Sequence, residues 1–277
     1  MVINTFIKGI FREALARKII LTIFGIISFF ILILILLITN EAVRFLLSAL
    51  EQTSGGNMKD AVILFQSEII SKTPLLMLMC SYIVIVSAFI PSMLKKGYID
   101  LILSKPISRF QIVTGHYIAG TVLIFFMNLL LFVIIWIVIS AKTSVWHFPF
   151  LYSVFWFTSI FAVLYSIVVL MGFVTKNNIL TIITSISFFF PVTWLLYWLN
   201  KYFEQDTQNI VFSSFAEFFI KFFYYLFPKV WDIQDICISV VKAEPLPDNY
   251  FVSISSTVLF TLVMLTLAIY YFNKKDY

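Results

Sequence analysis

The sequence predicts an all-α membrane protein: six transmembrane helices in a single domain covering residues 1–277. Three observations carry this expectation. Hydrophobic residues make up 61% of the chain and mean hydropathy is +1.02, a level that soluble domains do not sustain. Six runs lack Asp, Glu, Lys and Arg: 19–40, 73–94, 110–141, 143–175, 177–200 and 249–273. Each exceeds the roughly 20 residues a helix needs to cross the hydrocarbon, and helices are the spanning form that satisfies backbone polar groups without water. The third observation is the sorting of charge. With the N-terminus in the cytoplasm and alternating spans, eleven of the nineteen Lys and Arg fall in inner segments, but only three of the fourteen acids do. That asymmetry orients the chain with both termini inside.

The elements follow in order. Residues 3–16 place Ile3, Phe6, Ile7, Ile10, Phe11 and Ala14 at helical spacing, with Lys8 and Arg12 on the other face. This pattern suits a helix lying in the membrane interface. Spans are expected over about 19–39, 74–94, 117–140, 151–174, 179–199 and 250–272. The first reads as a retained anchor, being too long for a cleaved signal. Outer segment 40–73 contains two helix-like stretches broken at Ser54-Gly55-Gly56-Asn57, which fit either a small external cap or helices lying on the membrane. Pro91 near the inner end of the second span permits a kink. Outer segment 201–249 includes an apolar, aromatic stretch over Val211–Phe227. Glu217 and Lys221 in it are favourable i, i+4 partners, and an interfacial or re-entrant helix ending near Pro228 is expected. A seventh span there would put Lys274 and Lys275 outside.

The inner loop 95–109 is the most informative local pattern. Tyr98, Ile99, Leu101, Ile102 and Leu103 share one arc of a helix, while Lys96, Asp100 and Ser104 line the other. Pro106 ends that short helix, because the residue before a proline avoids the α region. Ser108 and Gln111 then fit a capping box, with Ile107 and Ile112 at staple positions. The expected result is a stiff helix–proline–helix corner, suited to receiving force from a soluble partner.

The run Gly97-Tyr98-Ile99-Asp100-Leu101-Ile102-Leu103-Ser104-Lys105-Pro106-Ile107-Ser108-Arg109 resembles the cytoplasmic loop of ABC-2 type transporter permeases. The N-terminal basic helix, six spans, long outer segment before the last span and basic-aromatic tail are also similar to that family. Lys95 and Lys96 stand where many relatives carry Glu. The resemblance implies the membrane half of an ATP-driven pump in the bacterial cytoplasmic membrane, most simply an exporter of apolar or amphipathic cargo. It implies two copies of a separate ABC ATPase and a second permease, identical or homologous. Helix 96–104 would be the coupling helix, with Gly97, Asp100, Leu101, Pro106 and Arg109 as coupling residues: Gly97 for close approach, Asp100 for a polar contact, Leu101 for packing, and Pro106 and Arg109 as corner and surface charge. An ATPase-driven anchor or mechanotransmitter that moves no cargo is the alternative.

The chain has no G-x-x-x-x-G-K-[ST] loop, so ATP and Mg²⁺ would be held by the partner, and no cofactor or enzymatic site is expected in this chain. Met77, Met79 and Cys80 read as apolar filler rather than a metal site, and His116 and His147 as interfacial residues too far apart to act together. Membrane lipid is an expected partner and nucleic acid is not, because the basic residues sit at helix ends where they orient the protein and meet anionic lipid. No residue pattern specifies a substrate-binding site.

Overall fold

The computed structural model describes Gly25, Ser48 and residues 57–71, 74–95, 97, 99–100, 104, 107–205 and 214–275. The expected interfacial helix 3–16, the span 19–39 apart from Gly25, the first helix-like stretch of segment 40–73 apart from Ser48, and Leu101 and Pro106 lie outside the described residues. Regular structure among the described residues is entirely helical. The elements are α1 (Met58–Ser71), α2 (Pro74–Val86), α3 (Phe89–Met93), α4 (Arg109–Thr143), a 3₁₀ turn (Phe148–Tyr152), α5 (Ser153–Thr175), α6 (Asn178–Gln205), α7 (Ser214–Leu226), α8 (Val230–Lys242) and α9 (Tyr250–Lys274).

Four helical segments are long and apolar enough to cross a membrane: Arg109–Thr143, Phe148–Thr175, Asn178–Tyr202 and Tyr250–Lys274. The protein is therefore a helical membrane protein. The stretch expected as a second span forms two pieces, α2 and α3, separated at Ser87-Ala88. Pro91 explains the break: it has no N–H to give to the Ser87 carbonyl four residues earlier, and its ring crowds that carbonyl. The flanking bonds survive, with Ser87 N–H on the Ile83 carbonyl at 2.9 Å and Ser92 N–H on the Ala88 carbonyl at 3.1 Å. At 35 residues, α4 is about 52 Å long at 1.5 Å per residue, well beyond the hydrocarbon thickness. It begins at Arg109, eight residues before the span expected from hydropathy, so its first two turns belong to the corner.

Hydrogen bonds sort the helix ends onto two faces. On the near face lie the end of α3, the described corner residues between Lys95 and Ser108, the start of α4, the α5–α6 junction and the end of α9. Arg109 bonds the last carbonyls of α9, and Ser87 Oγ bonds Asn178 Oδ1 at 2.7 Å. On the far face lie α1, the α4–α5 connection, α8 and the start of α9. There the His147 ring is 2.8 Å from Gln66 Oε1, and the Gln234 amide donates to the Ile70 carbonyl at 2.8 Å.

Helix α5 is the axis of the bundle and the most buried of the four long helices. Lipid is as apolar as leucine, so helices in a bilayer associate by close packing rather than by the hydrophobic effect. Two glycines provide that closeness here. A Cβ on Gly120 of α4 would stand 2.4 Å from the Tyr165 ring of α5, and a Cβ on Gly172 of α5 would stand 2.8 Å from the Ile90 Cβ of α3. The α2–α3 arm and α4, which enter and leave the corner, are thus both seated against α5. Aromatic rings continue the seam. Tyr82 meets Phe161 edge-on at 6.1 Å, Phe161 stacks on Tyr165 at 5.5 Å, and Tyr165 stacks on Tyr117 at 5.9 Å.

Far-face packing brings the described parts of segments 40–73 and 201–249 together. Ala61, Val62 and Ile70 of α1 and Ile233, Ile236, Cys237 and Val241 of α8 are all buried, and the two helices pack on each other as a cap. Segment 201–249 holds two helices rather than one. Beside the expected helix, now α7, stands α8, whose Val230, Ile233, Cys237 and Val241 recur at helical spacing. The α7–α8 turn reaches about two turns along α9, where Lys229 N–H bonds Thr257 Oγ1 at 3.1 Å and Phe227 faces Phe260 at 6.1 Å. Trp136, Trp146, Trp194 and Trp198 all lie toward the far end of the bundle, as an interfacial belt does.

Candidate functional site

The corner is built from local bonds. Gly97 has φ +86°, a conformation that disfavours any residue with a Cβ. Its N–H bonds Asp100 Oδ2 at 3.1 Å. That is the acidic half of a capping box: a carboxylate three residues along reaching back to the residue that opens the helix. Ile99 N–H meets the Lys95 carbonyl at 3.2 Å and Ser104 N–H the Asp100 carbonyl at 3.0 Å. Ile99 is buried, while Gly97, Asp100 and Ser104 are exposed, as the amphipathic pattern requires. Among the described residues nothing approaches within 4 Å of a Cβ placed on Gly97, so its backbone angle, rather than crowding, calls for glycine.

The second half of the corner forms as the sequence pattern indicates. Ser108 Oγ accepts from Gln111 N–H at 3.2 Å, and Gln111 Oε1 accepts from Ser108 N–H at 3.1 Å, completing a reciprocal capping box. Ile107 is half-buried against the same core that holds Ile112.

Arg109 is where the structure revises the sequence reading most. It is half-buried rather than a surface charge. Its Nη1 donates toward the carbonyls of Phe272 at 2.6 Å, Asn273 at 3.2 Å and Lys275 at 2.8 Å, with the guanidinium 5.3 Å from the Phe272 ring centre. The last carbonyls of a helix have no partner within it and carry its negative dipole end, so a cation there satisfies both needs. Phe272 also packs on Phe173 of α5 at 4.8 Å. The first residue of α4 therefore fastens the last turn of α9, 163 residues away in sequence.

The α5–α6 junction closes the near face. Lys176 ends α5 in the left-handed conformation, Thr175 Oγ1 and Thr181 Oγ1 lie 2.8 Å apart, and Asn177 Oδ1 accepts from Ile179 N–H at 2.9 Å. The near face thus gathers Gly97, Asp100 and Arg109 with Ser87 and Asn178, a link that no periodicity marks. Small residues within apolar spans were the available signal for Gly120 and Gly172.

The far face carries the titratable groups that sequence reading passed over. Asp232 Oδ2 accepts from Tyr224 Oη at 2.6 Å and from Ser253 Oγ at 2.9 Å, tying α7, α8 and α9 together. Burial pushes its carboxyl above the usual range, against the pull of those two hydroxyls and Lys229. The Lys229 ammonium lies 4.3 Å from the ring centres of both Tyr224 and Tyr225. Burial, helped by the charge of Lys59, lowers His147 below its ordinary value, and burial raises the Cys237 thiol to about 12. His116 is buried inside α4 and His147 in the cap, so neither sits exposed at the interface. Among the described residues no three His, Cys, Asp or Glu side chains come together as a metal site.

Between these faces a cleft of about 350 Å³ opens between α4, α5, α8 and α9. It borders both helices that the Arg109 clamp joins. Comparison with family models, with curated proteins and with solved structures returns no match.

Proposed function

We propose that this chain is the permease subunit of an ATP-driven transporter of the ABC-2 type, an exporter of apolar or amphipathic cargo. It sits in a bacterial cytoplasmic membrane with six spans and both termini inside. A separate ATPase pair docks on the near face at residues 96–104, and a second permease, identical or homologous, completes the complex. The observation that carries this reading is the Arg109 clamp. A push delivered to the corner enters α4 at its first residue and α9 at its last turn, and these two helices border the cleft. The glycine contacts seat both arms of the corner on α5, so displacement passes into the bundle instead of being absorbed by a loose loop. Charge supports the orientation. Among the described residues the near face holds Lys95, Arg109, Lys176, Lys274 and Lys275 against the single acid Asp100. A docked partner shifts the bundle only by binding its two conformations unequally, which a stiff corner permits.

The test is co-purification followed by reconstitution. The chain retains an ABC ATPase through purification, and the complex in vesicles moves an amphipathic dye across the membrane only with ATP. ATP hydrolysis without movement of any cargo supports the mechanotransmitter instead, and a chain that purifies without an ATPase rejects both.

A further inference from the structure

We propose that the cleft between α4, α5, α8 and α9 is a binding slot for a single hydrocarbon chain, taken sideways from the bilayer as the acyl chain of a phospholipid. The inference does not depend on an ATPase, and stands or falls apart from the transport reading.

Shape is the first argument. Along α9 the lining runs from Ile254 to Leu265, eleven residues or about 16 Å of helix. The recess is therefore long and runs along α9, within a segment long and apolar enough to cross a membrane. Val258 and Leu262 on its rim are 53% and 57% exposed, and Ser159 on the opposite wall is also exposed. The slot consequently opens on the side of the bundle rather than at either end.

Chemistry is the second. Four hydroxyl groups line the slot, which at first sight suits a polar solute. Each has already placed its proton on a backbone carbonyl: Tyr117 on Ala162 at 3.1 Å, Ser159 on Phe155 at 2.8 Å, Thr257 on Ser253 at 2.7 Å and Thr261 on Thr257 at 2.9 Å. Thr257 also accepts the Lys229 N–H. No ionisable group other than the Tyr117 phenol lines the slot. A charged occupant would lose its solvation and find no opposite charge, and a polar one would find no hydroxyl proton left to accept, whereas a methylene chain loses nothing. The threonine methyls, Val163, Ile233 and the Trp156 ring supply the dispersion contacts that bind a chain in lipid, where the hydrophobic effect gives no help.

The test uses the full chain in phosphatidylcholine vesicles doped with either of two photoreactive phosphatidylcholines, one with a diazirine at the end of the acyl chain and one with it on the headgroup. After irradiation, adducts are mapped by peptide mass spectrometry. The chain-borne probe should label residues 156–163 and 254–265 more heavily than the exposed Leu195 of α6, which lies nearer the slot's level along the bundle, on the order of tenfold per residue, or about 1.4 kcal/mol of preference. The headgroup probe should leave both groups at the α6 level. Ser159→Trp and Thr261→Phe fill the slot from opposite walls, and each should bring chain labelling there down to that of α6. Equal labelling of slot and α6 in the unmodified chain overturns the proposal without reliance on any variant, as does heavier labelling of the slot by the headgroup probe.

Discussion

The two faces of the bundle are held together by different means. On the near face, helix ends are joined mainly by side chains bonding to backbone: Asp100 to Gly97, Ser108 with Gln111, and Arg109 to the carbonyls of Phe272, Asn273 and Lys275, with Ser87 to Asn178 and the Thr175–Thr181 hydroxyl pair as the side-chain links there. On the far face, whole helices meet through side chains, as in Gln66 with His147 and Asp232 with Tyr224 and Ser253, over a packed apolar cap. Backbone-directed caps fix where a helix begins and ends while leaving the loop exposed for a partner. Side-chain networks fix the spacing between helices. The near face is thus a jointed surface and the far face a packed lid.

The contrast can be broken most severely at the glycine seats. Gly172→Val forces α3 off α5, because its first new atom already lies inside the Ile90 side chain. Overpacking of this kind costs about 1–3 kcal/mol, and the added methyls put this site at the upper end. Thermal unfolding in detergent should fall clearly, and wild-type melting would show that the corner's incoming arm is not locked. Removing the clamp comes next. Arg109→Ala strands carbonyls that accept from a charged donor, a loss of about 1.5–3 kcal/mol before discounting for partial exposure. Amide exchange should quicken in the last turn of α9 while α1 and α8 keep their protection. Quickening on both faces would mean the two are not mechanically separate.

Asp100 sharpens the comparison further. Asp100→Asn keeps an acceptor for Gly97 N–H, and Asp100→Lys does not, so the lysine variant alone should lose the cap, worth about 1 kcal/mol. Both should still insert and keep the far face intact. If docking depends on the cap, an ATPase partner is retained by the asparagine variant and lost by the lysine variant. Loss in both means the charge itself is read. The smallest effect belongs to the lid. The folded state holds His147 below the value it takes when unfolded, so the unfolded chain binds the extra proton. Its contribution is present above about pH 6.5 and is lost as pH falls through the folded value. Stability should decline on acidification through that window, and His147→Gln should flatten the decline. A slope unchanged by the substitution would place the titration elsewhere.

Some of this was legible in advance. Hydropathy identified the four long apolar helices, since a bilayer imposes length and composition on each span separately. Ser108 and Gln111 announced the start of α4, because a capping box is a contact over three residues. Helix α8 was legible too, in Val230, Ile233, Cys237 and Val241, but its charged neighbours Asp232, Asp235 and Lys242 masked it in a search for apolar runs. Arg109 was the residue most misread: beside a loop it looks like surface charge, and only the return of α9 gives it carbonyls to hold.

By itself, then, the sequence determined that the chain enters a membrane, where its four long apolar helices lie and how the corner is capped, all of which rest on forces acting within a helix or a turn. Tertiary structure alone decided that α4 fastens to α9, that α1 and α8 form a lid, and that four hydroxyls spend their protons on backbone and leave an apolar slot. Those outcomes depend on which helix comes to lie beside which, and in lipid that choice is made by close packing of small and large residues far apart in the chain, which no local pattern encodes.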